Sequence, residues 1–166
     1  MRQALKHTVS CFVKNQPGVL ASIAASFAGK GINIISLAVG ELEDETMSRM
    51  TIVIRCHEER VREVVAHLKD LVEVVDVEDL NSNNMIAREL LLIKVKAEGE
   101  DIARVMQLVE IMKGTVAGME EQTLTIEMSG PESKVDALVN LLRPFGITEM
   151  VRTGRIAIEQ HGEVEI

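Results

Sequence analysis

The sequence has almost no aromatic residues: of 166, three are Phe and none is Trp or Tyr. With 46% hydrophobic residues a core is affordable, but it must be built from Val, Ile, Leu, Met and Ala. Positive charge is also scarce, with 18 basic residues against 26 acidic and a net charge of -8. No basic stripe is interleaved with aromatics, so the balance argues against nucleic-acid binding. No apolar run approaches the roughly 20 residues of a membrane span, so no membrane partner is expected. The first residues, Met1 to Thr8, lack the apolar core of a secretory signal, and a cytoplasmic location is expected. The two cysteines, Cys11 and Cys56, have neither metal-ligand nor CxxC spacing and read as reduced, packed thiols.

Catalytic and metal signatures are missing too. Ser10, Ser22, Ser26 and Ser36 show no nucleophile elbow. His7, His57, His67 and His161 are scattered, without Cys or carboxylate partners at metal spacing, and read as surface or interface histidines. The run from Gly29 to Ile34 begins like a dinucleotide fingerprint, but it lacks the third glycine and ends a helix instead of opening one. Glu41, Glu43, Asp44 and Glu45 do not have the spacing of a calcium loop and read as a solvated hairpin end. No catalytic residue, metal site or cofactor is expected in this chain.

What is present is a repeated plan. Residues 7–14 alternate, with Val9, Cys11 and Val13 on one face of a strand. Pro17-Gly18 breaks it, and Leu20, Ile23, Ala24 and Phe27 form the apolar face of a helix that ends between Gly29 and Gly31. Strands at 33–39 and 48–55, a helix from Glu58 to Lys69 and a strand at 72–80 complete a β-α-β-β-α-β order, with one sheet face left uncovered. Asn81-Ser82-Asn83-Asn84 opens a linker over 81–87. The second half repeats the order: a strand at 88–96, a helix from Asp101 to Met112 with Ile102, Val105, Met106 and Val109 inward, and a short strand punctuated by Gly114 and Gly118. A strand at 123–128, a helix bearing Val135, Leu138, Val139 and Leu142, and β character at 147–159 follow. The fold class is α+β: two ferredoxin-like βαββαβ domains in tandem, at 1–80 and 88–166.

The candidate site is the loop Asn15-Gln16-Pro17-Gly18 with Gly31-Ile32-Asn33-Ile34. A helix N-terminus offers unpaired N–H groups and a partial positive charge, and Gly18 removes a side chain where an anion would approach. Asn15 and Asn33 can each offer a carbonyl to an ammonium and an amide N–H to a carboxylate. Val19, Leu20 and Ile34 can wall a small aliphatic pocket. If the second strand runs beside the first, both carboxamides converge, which suits reading a small zwitterion and not converting one.

These stretches carry a resemblance. Asn15 to Leu20, Gly31-Ile32-Asn33-Ile34 and Ser36-Leu37 resemble an ACT domain. Ser48-Arg49-Met50-Thr51-Ile52-Val53, the stretch from Arg88 to Val95 and the closing stretch from Arg143 to Gly154 resemble the small regulatory subunit of acetolactate synthase (acetohydroxyacid synthase). The resemblance covers nearly the whole chain. It departs at Lys14 and Ile35, where acidic residues are frequent, at Ile32 in place of an aromatic, and at Gly118 in place of an aspartate. It implies a chain without catalytic activity that activates a large catalytic subunit carrying thiamine diphosphate, Mg and FAD. It also implies feedback inhibition by valine, leucine or isoleucine, and a homodimer formed through ACT-domain sheet edges. Asn15, Pro17, Gly18, Val19, Leu20, Asn33 and Ile34 would then be the effector-binding residues. The alternative is a free-standing tandem ACT-type amino-acid sensor that acts on another protein.

Overall fold

The computed structural model describes residues 4–80 and 85–160. By packing, the chain groups into two compact units. The first contains β1 (Leu5–Lys14), α1 (Val19–Gly29), β2 (Ile34–Glu41), β3 (Met47–Cys56), α2 (Glu58–Lys69) and β4 (Val74–Leu80). The second, from Ala87 to Gly154, contains most of β5 (Met85–Lys96), then α3 (Glu100–Ile111), β6 (Thr115–Glu120), β7 (Thr123–Gly130), α4 (Glu132–Leu142) and β8 (Ile147–Arg152). Each is an antiparallel α+β unit of the βαββαβ type, with sheet orders β2-β3-β1-β4 and β6-β7-β5-β8. A last strand, β9 (Ile156–Glu159), pairs with β5, whose Met85 and Ile86 belong to the first unit. By packing, residues 155–160 group with that unit. Of the expected linker, residues 81–84 lie outside the described residues, and 85–87 are already strand.

In the first unit Val9, Cys11 and Val13 of β1 pack with Ile52 and Ile54 of β3 against Ile23 and Phe27 of α1 and Val61, Val64 and Leu68 of α2. The buried stripe of α1 is Val19, Ile23, Ser26 and Phe27, so Leu20, expected inward, is 46% exposed. The helix starts at Val19, and a 3.6-residue period from there runs through 23 and 26–27, which turns Leu20 to the flank. Ser26 is tolerated inside because its hydroxyl donates to the Ser22 carbonyl at 3.0 Å.

The opposite sheet face, expected to be uncovered, is not: Thr8, Ser10, Thr51 and Val53 are all buried. Part of the cover is local. Arg49 Nε donates to Ser10 Oγ at 3.0 Å, and its guanidinium carbon lies 4.7 Å from the centre of the Phe12 ring, a cation–π arrangement. Arg155 Nη1 donates to Thr8 Oγ1 at 2.9 Å, a pairing across 147 residues that no local pattern announces.

In the second unit Leu91, Ile93 and Val95 of β5 and Leu124, Ile126 and Met128 of β7 face Val105 and Val109 of α3 and Val135, Leu138, Val139 and Leu142 of α4. Met106, expected inward, is 44% exposed because Val105 and Val109 define the buried line of α3. Glu89 is buried and accepts two bonds from Arg152, from Nε at 3.1 Å and from Nη2. Arg152 Nη1 donates to Asp136 of α4 at 2.7 Å, so one guanidinium ties β5, β8 and α4 together.

Candidate functional site

The expected loop forms where β1 ends. Lys14 N–H donates to the Glu73 carbonyl at 2.9 Å, and a turn then carries the chain into α1. Gly18 holds φ +91°, a left-handed conformation that costs an L-residue about 1–2 kcal/mol. A side chain there would have room, since nothing lies within 4 Å of an added Cβ; the requirement is backbone freedom. The first bond of the α1 ladder runs from Ser22 N–H to the Gly18 carbonyl at 3.0 Å, so the N–H groups of Leu20 and Ala21 precede the ladder. No side chain caps α1, and no acidic residue stands in its first turn. By contrast α2 carries Glu58 and Glu59 there, α3 carries Glu100 and Asp101, and α4 carries Glu132. In a chain of net charge -8 the start of α1 is left without a carboxylate of its own.

The site residues divide by exposure. Asn15, Pro17, Gly18 and Leu20 are exposed, and Val19 is a core residue at 4% exposure. Asn15 donates twice to the β2–β3 hairpin, from its backbone N–H to the Thr46 carbonyl at 2.7 Å and from Nδ2 to the Glu45 carbonyl at 2.9 Å. Asn33 is exposed just before β2, and Ile34 is half-buried against the core.

Asn33 does not converge with Asn15 within one chain. β3 lies between β1 and β2, so β2 does not run beside β1. Lys14 pairs with Met47 at one end of β3, and Ile34 pairs with Ile54 near the other. Seven residues of β3 separate those levels, roughly 23 Å at strand rise. The 11 residues of α1 that join the two stretches span about 16 Å and also hold them apart. β2 is an edge strand, and Ile35 and Val39 on it are 42% and 49% exposed.

Other chemistry is sparse. Among the described residues no group of three or more His, Cys, Asp or Glu side chains could hold a metal. The acidic hairpin end is exposed, and Thr46 holds the Asp44 carboxyl below its ordinary range by side-chain and backbone hydrogen bonds. Cys11 and Cys56 are buried free thiols, and burial, with Asp76 adding, pushes Cys11 up to about 12.

His7, read as a surface or interface residue, is mostly covered. Its side chain is 13% exposed, with Nδ1 3.8 Å from Asp79, and its Nε2 is buried without a hydrogen-bond partner. His7 and Asp79 line a cavity of about 520 Å³ at the opposite end of β1 from the loop. The isolated His at the start of an alternating strand was the only sequence signal for it.

Comparison with known proteins decides the family. Residues 9–76 match the family model described as an AHAS small subunit-like ACT domain, and residues 88–161 match the one described as the small subunit of acetolactate synthase. The chain belongs to the acetolactate synthase small-subunit family. It is 41% identical over 154 residues to the acetolactate synthase small subunit of Mycobacterium leprae, covering 93% of this chain and 91% of that one. It is 40% identical over 164 residues to that of Aquifex aeolicus, covering 98% and 85%. The crystal structure of the Thermotoga maritima small subunit superposes with a TM-score of 0.88 at 36% identity, covering 96% of this chain and 99% of that one. The first unit is accordingly an ACT domain, and the chain is a regulatory, non-catalytic small subunit of branched-chain amino-acid biosynthesis.

Proposed function

We propose that this small subunit binds the large catalytic subunit of acetolactate synthase, raises its activity and makes it sensitive to feedback inhibition by valine, or by leucine or isoleucine. The observation that carries the effector reading is the start of α1, which is exposed, uncapped, free of acidic side chains and entered through Gly18 at φ +91°. A carboxylate there is favoured by roughly 0.3–2 kcal/mol from the helix terminus alone, and exposed Leu20 offers aliphatic contact.

The distance between Asn15 and Asn33 supports a site shared by two copies. An unpaired edge such as β2 invites a second strand. Antiparallel pairing of two β2 edges about a two-fold axis carries the Asn33 end of one copy toward the Glu41 end of the other, the end where the Asn15 loop lies. The homodimer then completes the pocket with Asn33 and Ile34 of the second copy. Thiamine diphosphate, Mg and FAD belong to the large subunit in this reading, and the chain works in the cytoplasm. One methylene in an apolar pocket discriminates by only about 1–3 kcal/mol, so valine and leucine both act, with modest preference.

Calorimetric titration with valine, leucine and isoleucine tests this on wild type, Asn15→Ala and Gly18→Asp, with and without the large subunit. Saturable binding lost in both variants supports the site. Unchanged binding in Gly18→Asp, which places a negative charge where the carboxylate should sit, refutes it.

A further inference from the structure

Asn15 is held by something other than an effector. Its Nδ2 and its backbone N–H reach two successive carbonyls, Glu45 at 2.9 Å and Thr46 at 2.7 Å, at the tip of the β2–β3 hairpin. The tip is fixed in turn. Thr46 donates to Asp44 Oδ1 from its backbone N–H at 3.0 Å and from Oγ1 at 2.6 Å, and Met47 N–H donates to the Asp44 carbonyl at 2.9 Å. A carboxylate that accepts from the backbone two residues on makes an Asx turn, which sets the direction of the peptides it encloses. Residues 43–46 are exposed, so these bonds, and not apolar packing, hold the tip in place.

The clamp also gives Asn15 a polarity. A carbonyl can only accept, so the Glu45 contact requires the amino half of the carboxamide on that side. The carbonyl half, Oδ1, is left as the acceptor for a ligand. Two Asn15 bonds to the hairpin further connect the loop with the strand that forms the sheet edge.

We infer that Asp44 and Thr46 are positioning residues for the effector site: they hold Asn15 so that Oδ1 receives the ammonium of a branched-chain amino acid while its carboxylate meets the start of α1. The inference rests on the effector reading above. It goes further in assigning the two ends of the zwitterion to different groups and in placing two residues outside the loop in control of affinity.

The test is calorimetric titration of the full chain with valine, repeated with the large subunit present, on wild type, Asp44→Ala, Thr46→Val and Asp44→Asn. The Asn15 side-chain amide is followed by NMR in the same proteins without ligand. Loss of a hydrogen-bond network of this size weakens binding about fivefold to tenfold in Asp44→Ala and Thr46→Val. Asp44→Asn keeps the acceptor and binds within about twofold of wild type. In the NMR spectra Asp44→Ala shifts the Asn15 Nδ2 protons toward free-amide values and Asp44→Asn does not. Wild-type binding in all three variants, together with the loss of binding in Gly18→Asp, overturns the inference and leaves the effector reading standing. No binding of valine, leucine or isoleucine by wild type in either state overturns both.

Discussion

Removing either partner of the Glu89–Arg152 pair should have unequal consequences. Glu89 is 5% exposed and takes both of its strong bonds from one guanidinium, whereas the Arg152 side chain is 26% exposed and has a second carboxylate, Asp136, at 2.7 Å. Hydrogen bonding to Glu89, against the penalty of burial and with Asp136 adding, raises the Arg152 pKa above its ordinary value. Breaking a buried pair costs about 3–5 kcal/mol when the remaining charge is stranded. Arg152→Met strands Glu89 and should lie in that range. Glu89→Ala leaves Arg152 with Asp136 and water and should cost less, about 2–3 kcal/mol. The double variant Glu89→Leu/Arg152→Met strands neither, since Asp136 is half exposed, and should recover most of the loss. Urea unfolding of the full chain followed by far-UV circular dichroism measures all three, because the protein has no Trp or Tyr to report by fluorescence. Equal losses in the two single variants, or a double variant as unstable as Arg152→Met, would refute the reasoning.

Other outcomes follow from single features. Gly18→Ala should lose about 1–2 kcal/mol in urea titration from its φ of +91° alone, since its Cβ meets nothing. Leu138→Ala, at a fully buried position of α4, should cost about 2–5 kcal/mol by the same assay. Cys11 and Cys56 should stay unlabelled by a thiol reagent at pH 8 until the chain unfolds, because both are buried and burial raises both thiols, Cys11 to about 12. The Asp79 carboxyl is raised chiefly by burial and by Glu58, against His7. The folded state therefore keeps that proton longer than the unfolded chain, and the contribution of Asp79 to stability falls as pH rises from 3.8 through the raised value. Asp79→Asn should raise the urea midpoint at pH 7 and leave it nearly unchanged at pH 3.5.

The fold was legible because it rests on period. Alternation in Val9, Cys11 and Val13, and the stripe Val135, Leu138, Val139 and Leu142, are local signals that survive into the core unchanged. Phase was less legible than period: the start of α1 at Val19, set by the Gly18 turn, turned Leu20 outward. What pairs across distance left no local trace. Arg152 finds Glu89 across 63 residues, and Arg155 finds Thr8 across 147. At the candidate site the residue types of the loop could be read, but their separation could not. Whether Asn33 stands beside Asn15 depends on where β3 enters the sheet, and strand order is not written in the alternation of any one strand. The hairpin clamp was hidden for the same reason, since Asp44 read only as part of a solvated hairpin end and its bonds from Thr46 left no pattern.

Residues that follow the second unit in the chain pack with the first. β5 and β8 leave the second unit side by side, with Leu90 N–H donating to Thr153 Oγ1 and Thr153 N–H to the Leu90 carbonyl, each at 3.0 Å. Arg155 then returns to the first unit at Thr8. By packing, residues 155–160 go with the first unit, although the family match to the second half runs from 88 to 161. A clean separation therefore takes two cuts and one rejoining, of residue 86 to residue 155. A single stop codon after β4 would keep all four strands of the first sheet and the whole ACT match, 9–76, and would lose the hydrogen bond that Arg155 gives Thr8.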